Sequence, residues 1–260
     1  MIAVEGVTYR VAGRDLLADV SADFAPGLLH LIIGANGAGK STLVKVASRL
    51  LRPHRGRVSY GGVDVASATE VSLARHRAVL SQAIELAFPL AVRDVVMMGR
   101  YPHFHTHPGP DDHAIVDDAM RYFDVGDLAT RDYPTLSGGE KQRVNFARVL
   151  AQVWRPSPAG TRVLFLDEPL TFLDVGHQLD FMKKIRTFAA QDDVIVIGVV
   201  HDLNLAARFA DRLLLLHHGA VLAAGARADV LTAAHVRTAF GVGFVTAVAP
   251  GIDGTHLIFD

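Results

Sequence analysis

The stretch that most limits how this chain can fold is "LLHLIIGANGAGKSTLVKVASRLL", residues 28–51. An apolar run stops at Gly34, a glycine-rich corner follows, and a helical pattern starts near Lys40. Gly34, Gly39, Lys40 and Ser41 satisfy the spacing G-x-x-x-x-G-K-[ST], and they do so between a predicted strand and a predicted helix, the context this motif requires. The chemistry explains the residue types. Glycines let backbone N–H groups converge on phosphate, the helix start adds favourable potential, Lys40 reaches the β and γ phosphates, and Ser41 ligates Mg²⁺.

Further apolar runs, "VLFLDE" (163–168), "VIVIGVVHD" (194–202) and "RLLLLHHG" (212–219), end at polar or glycine corners. Runs without alternation predict parallel strands covered on both faces, and the helical spacing of "HQLDFMKKIRTFAAQ" between them gives strand-helix-strand units, so the class is α/β. "RLLLLHHGAVLAAG" predicts two strands joined by a tight turn at His218 and Gly219, and "FVTAVAPGIDGTHLIFD" predicts a closing hairpin. Residues 83 to about 155 break the rhythm. There "AFPLAVRDVVMMGR", "PDDHAIVDDAMRYF" and "EKQRVNFARVLAQVW" carry helical spacing with no strand between them, which predicts an inserted helical subdomain. "HFHTHPGP" (103–110) reads as a surface loop, and the spacing of His103, His105 and His107 fits no common zinc pattern.

The 260 residues include 26 Lys plus Arg against 27 Asp plus Glu, a formal net charge of −1, which gives no electrostatic case for nucleic acid. No cysteine is present, so disulfides, zinc thiolates and a catalytic thiol are all excluded, consistent with a reducing compartment. "MIAVEGVTYRVAGRD" has neither a basic start nor an apolar secretory core, and no apolar run approaches the ~20 residues of a spanning helix. The expectation is a soluble chain that meets any membrane through a partner.

Three strand ends add chemistry. The apolar strand of "VLFLDEP" delivers Asp167, which would hold magnesium through water, and Glu168, a general base for the attacking water. "VVHD" brings His201 to the same edge, where an imidazole can bond the γ phosphate, and Gln82 after "AVLS" would sense magnesium and water. Tyr9 offers an aromatic face to adenine. A second phosphate grip then needs explaining. In "LSGGE", Ser137 is an N-cap residue, Gly138 and Gly139 expose amides, and a helix starts there. It would be redundant in one chain and useful in a head-to-tail pair, each subunit closing the other's ATP.

In this order, "GANGAGKST", "LSGGE", "VLFLDE", "PLTFLD" and the His-Asp pair resemble the Walker A, signature, Walker B, D-loop and switch-histidine motifs of ABC transporter ATPase subunits. The resemblance spans essentially the whole chain. It implies an ABC-ATPase, or P-loop NTPase, fold with a RecA-like parallel-sheet core over 1–82 and 156–260, an N-terminal antiparallel β-subdomain, and a helical subdomain over 83–155. It also implies ATP and Mg²⁺ as ligands. Asn36, Gly37, Thr42 and Asp174 join the nucleotide-binding set, and Ser41, Gln82 and Asp167 the metal set. The assembly implied is an ATP-sandwich homodimer in which Ser137 and Gly139 of one subunit face the other's γ phosphate.

Within the family, "LAFPLAVRDVVMMGRYPH", "RDYPTLSGGE" and "AQVWRPSPAGTRVLFLDE" are similar to haemin importer ATPases, in the branch serving iron chelates, haem and cobalamin. That likeness implies a permease homodimer, a periplasmic haem-binding protein acting indirectly, and a peripheral seat on the cytoplasmic face of a bacterial inner membrane. A ferric siderophore or cobalamin importer is the nearest alternative. A non-transport ABC ATPase would carry coiled coils, paired cassettes or basic arms, which this sequence lacks. The permease would dock near Gln82, with Phe88 and Met97 read as core in preference to contacts. "PLTFLD" stands where "PTSALD" is usual, with Thr171 keeping a hydroxyl, and Lys141 stands where Gln commonly follows the signature.

Overall fold

The computed structural model describes residues 1–80, 89–157, 160–247 and 256–259. Two long antiparallel strands, β1 (Ile2–Val11) and β2 (Arg14–Phe24), come first, followed by β3 (Leu28–Ile33) and α1 (Lys40–Ala47). β4 (Arg55–Tyr60) and β5 (Val63–Asp64) return to the first pair and complete an antiparallel sheet ordered β2-β1-β4-β5. Next come α2 (Glu70–Ala74), β6 (Arg77–Leu80), α3 (Val92–Met97), α4 (Pro110–Tyr122) and α5 (Gly138–Gln152). β7 (Arg162–Leu166), α6 (Val175–Ala189), β8 (Val194–Val199), α7 (Leu203–Phe209), β9 (Arg212–His217) and β10 (Ala220–Gly225) build the rest of the core. α8 (Arg227–Val230), α9 (Ala233–Phe240) and the hairpin β11 (Phe244–Ala247) with β12 (His256–Phe259) follow.

The second sheet is ordered β10-β9-β3-β8-β7-β6, parallel from β9 through β6, with β10 antiparallel at one edge. Its central strands β3, β7 and β8 are almost wholly apolar because both faces are covered. On β3, β7 and β8 alternate residues serve two cores, since successive strand side chains point to opposite faces. Leu29, Leu31, Leu164, Leu166, Val194 and Val196 pack toward the helices, whereas Ile32, Val163, Phe165, Ile195 and Ile197 pack toward α1 and the antiparallel sheet. Each such side chain, removed from water, contributes about 1.5–3 kcal/mol. The sheets therefore cannot slip by one residue without exchanging the two cores.

α3, α4 and α5 pack on one another, as their helical spacing predicts, and Met97 is a core residue at 8% exposure. Phe88 lies outside the described residues. At the way back to the sheet sits Arg162, only 1% exposed. Its guanidinium donates to both Asp193 carboxylate oxygens at 2.8 and 2.7 Å, to Gln191 Oε1 at 2.7 Å, and to the carbonyls of Val153 and Trp154 at 3.0 and 2.8 Å. One side chain thus ties the exit of α5 to the turn before β8.

Two local expectations change. The helical pattern from Lys40 runs to Leu51, but α1 ends at Ala47. Arg49 takes φ 61°, and the Leu50 and Leu51 N–H groups both turn back to the Lys45 carbonyl, ahead of Pro53. The surface loop expected from His103 is narrower. His103 closes a 3₁₀ turn over Met98–His103, half-buried with Nε2 2.8 Å from the Gln152 carbonyl, while His105 and His107 are exposed.

Candidate active site at the C-terminal edge of the parallel sheet

β3, β7 and β8 are adjacent and parallel, so the residues after their C-terminal ends must meet. After β3 the backbone turns through Gly34 (φ 149°) and Gly39 (φ 100°), the latter being the N-cap of α1. A Cβ on Gly34 would stand 2.3 Å from the Leu216 carbonyl, and one on Gly39 2.6 Å from the Leu16 carbonyl. Only glycine fits either place. The corner is wedged between β2 and the β9–β10 turn, where Gly219 N donates to Ala38 O and Ala18 N to Gly219 O.

Lys40 is 5% exposed, and its Nζ donates to the carbonyls of Gly34 at 2.8 Å and Ala35 at 3.0 Å. Among the described residues no carboxylate lies within ion-pair reach of it. Burial pushes the Lys40 ammonium below its ordinary value, opposed by the charges of Glu168 and Asp167. A buried cation beside the unpaired N–H groups of a helix start, in a corner with no room for a Cβ at Gly34 or Gly39, fits a polyanion such as a triphosphate. Asn36, Gly37 and Thr42 lie on the same corner and the first turn of α1.

The neighbouring strand supplies the oxygens. Ser41 Oγ donates to Asp167 Oδ1 at 2.7 Å, joining the start of α1 to the end of β7. One hydroxyl and one carboxylate side by side form a hard-oxygen donor pair of the kind Mg²⁺ takes, with waters filling the remaining positions. Glu168, the next residue, adopts φ 52°, a left-handed conformation that costs a non-glycine residue about 1–3 kcal/mol and turns its side chain away from the strand line. Its Oε1 lies 2.8 Å from His201 Nε2, which arrives from the end of β8. The expectation that Lys40, Ser41, Asp167, Glu168 and His201 share one sheet edge agrees with this geometry. Gln82 lies outside the described residues.

Ser137 caps α5 as its sequence predicts. Its Oγ accepts from Glu140 N, and Glu140 Oε2 in turn accepts from Ser137 N at 2.8 Å and from Ser137 Oγ at 2.7 Å. A Cβ added at Gly138 or Gly139 would come within 3.6 or 3.5 Å of Phe172, which takes φ 68° and is 73% exposed. Among the described residues, no hydrogen bond joins Ser137–Gly139 to the corner around Lys40. Asp174 caps α6, and Thr171 Oγ1 donates to the Glu168 carbonyl at 3.1 Å. Tyr9 is partly exposed on β1, with its ring edge-on to His54 at 5.2 Å.

Sequence reasoning missed the groups that back the corner. The Leu16 and Leu216 carbonyls and Gly219 are far from Gly34 and Gly39 in the chain, and contacts between distant segments leave no local periodicity. It also missed Gln142, whose Nε2 donates to the Pro169 carbonyl at 2.7 Å and fastens α5 to the segment after Glu168.

A glycine corner around a buried lysine, a hydroxyl–carboxylate pair and a Glu–His pair on one parallel-sheet edge suit a nucleoside triphosphatase, and residues 17–171 match the family described as ABC transporter. The chain belongs to that family. It is 46% identical over 242 residues to the Hemin import ATP-binding protein HmuV of Gloeobacter violaceus, covering 93% of this chain and 88% of that protein. Among solved structures, the fold matches that of a metal-chelate type ABC transporter in an inward-facing conformation, with a TM-score of 0.82 at 23% identity over 100% of this chain and 96% of that one. It also matches a bacterial ABC transporter cassette solved as a dimer, with a TM-score of 0.74 at 24% identity over 87% of this chain and 99% of that one. Among the described residues no helix is long and apolar enough to cross a membrane.

Proposed function

We propose that this chain is the ATP-hydrolysing subunit of a bacterial ABC importer that powers haem uptake across the inner membrane from its cytoplasmic face. One observation carries the reading: the groups that hold a triphosphate and those that activate water meet at one edge, in a chain 46% identical to a hemin import subunit. The corner at Gly34–Gly39 and the N–H groups of α1 bind the phosphates, and Lys40 holds the β and γ oxygens. Ser41 and Asp167 hold Mg²⁺, joined by Gln82. Mg²⁺ held there would neutralise negative charge on the phosphates. Glu168 draws a proton from the attacking water, and His201, whose Nε2 lies 2.8 Å from Glu168 Oε1, orients that water against the γ phosphate. Tyr9 stacks on adenine.

The amides of Ser137, Gly138 and Gly139, together with Asp174, serve the nucleotide of a second copy in a homodimer. Support comes from the hydrogen bonds of Ser137, which stay local to its own helix, and from the dimeric cassette that shares this fold. The division places the core at 1–82 and 156–260 and the helical subdomain at 83–155, and the latter meets a permease pair fed by a periplasmic haem-binding protein.

The test is reconstitution with the partner permease and binding protein, comparing ATP-driven uptake of haem, a ferric siderophore and cobalamin. Haem should exceed the others at least about tenfold, a preference of some 1.4 kcal/mol. Equal or absent haem uptake removes the substrate assignment. Ser137→Arg should stop hydrolysis while nucleotide still binds, and surviving turnover removes the dimer.

A further inference from the structure

We propose that His177 is a positioning residue that clasps the start of α5 to the segment following Glu168, and that the clasp holds only while its imidazole is neutral. The proposal rests on the reading that the Ser137–Gly139 amides act in ATP turnover. Its geometry is independent of that reading.

Two partners fix the state of the ring. Asp174 caps α6 by accepting from His177 N at 2.9 Å, and its second oxygen lies 2.9 Å from His177 Nδ1. A carboxylate only accepts, so Nδ1 carries the proton. On the other side Arg143, from α5, places NH1 2.7 Å from His177 Nε2. A guanidinium only donates, so Nε2 must be the bare acceptor. The pair forces one neutral tautomer. Arg143 Nε is buried without a partner, and among the described residues His177 accepts the one hydrogen bond this guanidinium makes.

The clasp leads back to the signature serine. Glu140, one turn before Arg143 on α5, bonds Ser137 through N–H and hydroxyl. Those bonds, aided by the charges of Arg131 and Arg143, hold the Glu140 carboxyl below the usual range. Hydrogen bonds thus join Ser137 to Glu140 and Arg143 through His177 to Asp174, and the charge of Arg143, one turn from Glu140, acts between the two groups. Gln142, bonded to the Pro169 carbonyl, joins the same two segments without titrating. His177 accordingly adjusts the junction, while Gln142 keeps it closed.

The charged groups that face His177 are Asp174 on its own helix, and Arg143 with Glu140 behind it on α5. Protonation turns Nε2 from acceptor to donor and sets a second cation against Arg143, so it would open the clasp. His177 and Asp174 side chains are 47% and 70% exposed, so solvent screens the effect and turnover should change by only roughly two- to fivefold.

The experiment uses the full chain and measures kcat and KM for ATP from about pH 8 to 5.5. The wild type should lose roughly two- to fivefold more kcat across this range than His177→Gln, whose amide can accept from Arg143 and donate to Asp174 without titrating. His177→Ala should be low by the same factor at every pH, with KM unchanged in both variants because the Lys40 corner is untouched. A His177→Ala profile identical to wild type overturns the clasp, as does a His177→Gln profile that follows His177→Ala. ¹⁵N NMR of the imidazole decides the geometry even if no ATP is hydrolysed, an outcome that would sink the functional reading alone. The Nδ1–H tautomer is expected, and the Nε2–H tautomer refutes the clasp.

Discussion

Replacing Gly34 with alanine tests the claim that the phosphate corner is held by close approach to β9. The added Cβ would meet the Leu216 carbonyl at 2.3 Å and the Ala38 Cβ at 3.3 Å, at a φ of 149°. The carbonyl contact is about 1 Å short of ordinary van der Waals separation. Overpacking of this kind costs roughly 1–3 kcal/mol, and a side chain in this glycine-only region roughly 1–3 kcal/mol more. β9 is hydrogen-bonded to strands on both sides, so the yielding element is the corner itself. If about 2–4 kcal/mol of the strain falls on the binding-competent corner, the Kd for ATP rises roughly 30- to 1000-fold. Calorimetric titration with ATP measures this directly, with urea unfolding to show that the chain remains folded. Gly37→Ala is the control. Nothing lies within 4 Å of its added Cβ, although φ is 77°, so only local strain of about 1–2 kcal/mol is expected. If Gly34→Ala binds ATP within threefold of wild type and melts at the same urea concentration, the wedge does not position the corner.

Three other expectations follow from the same geometry. Arg162→Met strands two carbonyls and Asp193 and should cost about 3–5 kcal/mol in urea unfolding, whereas a loss below about 1 kcal/mol would deny the residue its anchoring role. Glu168→Gln should leave ATP affinity intact, lower turnover by roughly 10²- to 10⁴-fold and trap an ATP-dependent dimer, which light scattering would detect; monomers at saturating ATP contradict it. Burial lowers the pKa of His30, His76 and His103, so the unfolded chain binds more protons than the folded one below about pH 6.5. Their contribution is present above that value and lost as pH falls, and equal melting temperatures at pH 7.5 and 5.5 would refute it.

Much of the site was legible because its chemistry sits where runs of one residue class stop. Doubly covered strands leave unbroken apolar runs, so the ends of β3, β7 and β8 stand out, and Ser137 with Glu140 announces a helix start by spacing alone. The turn at His218 and Gly219 was legible for a similar reason, since both residues take positive φ. Arg162 was not. A charge ahead of "VLFL" reads as the solvated lead-in to a strand, yet it is interior because its partners come from segments some nine and thirty residues away. The Arg143–His177 contact also escaped, since an exposed histidine one turn into a helix has no pattern that names its partner.

The wedge at Gly39 joins more than a nucleotide pocket. Its backbone lies against Leu16 of the antiparallel sheet on one side and Gly219 of the parallel sheet on the other, and the Ala18–Gly219 hydrogen bond closes the triangle. Two sheets joined at the proposed phosphate corner should turn as a single plate when ligand arrives. A spectroscopic ruler spanning both sheets should then read the same length with and without ATP.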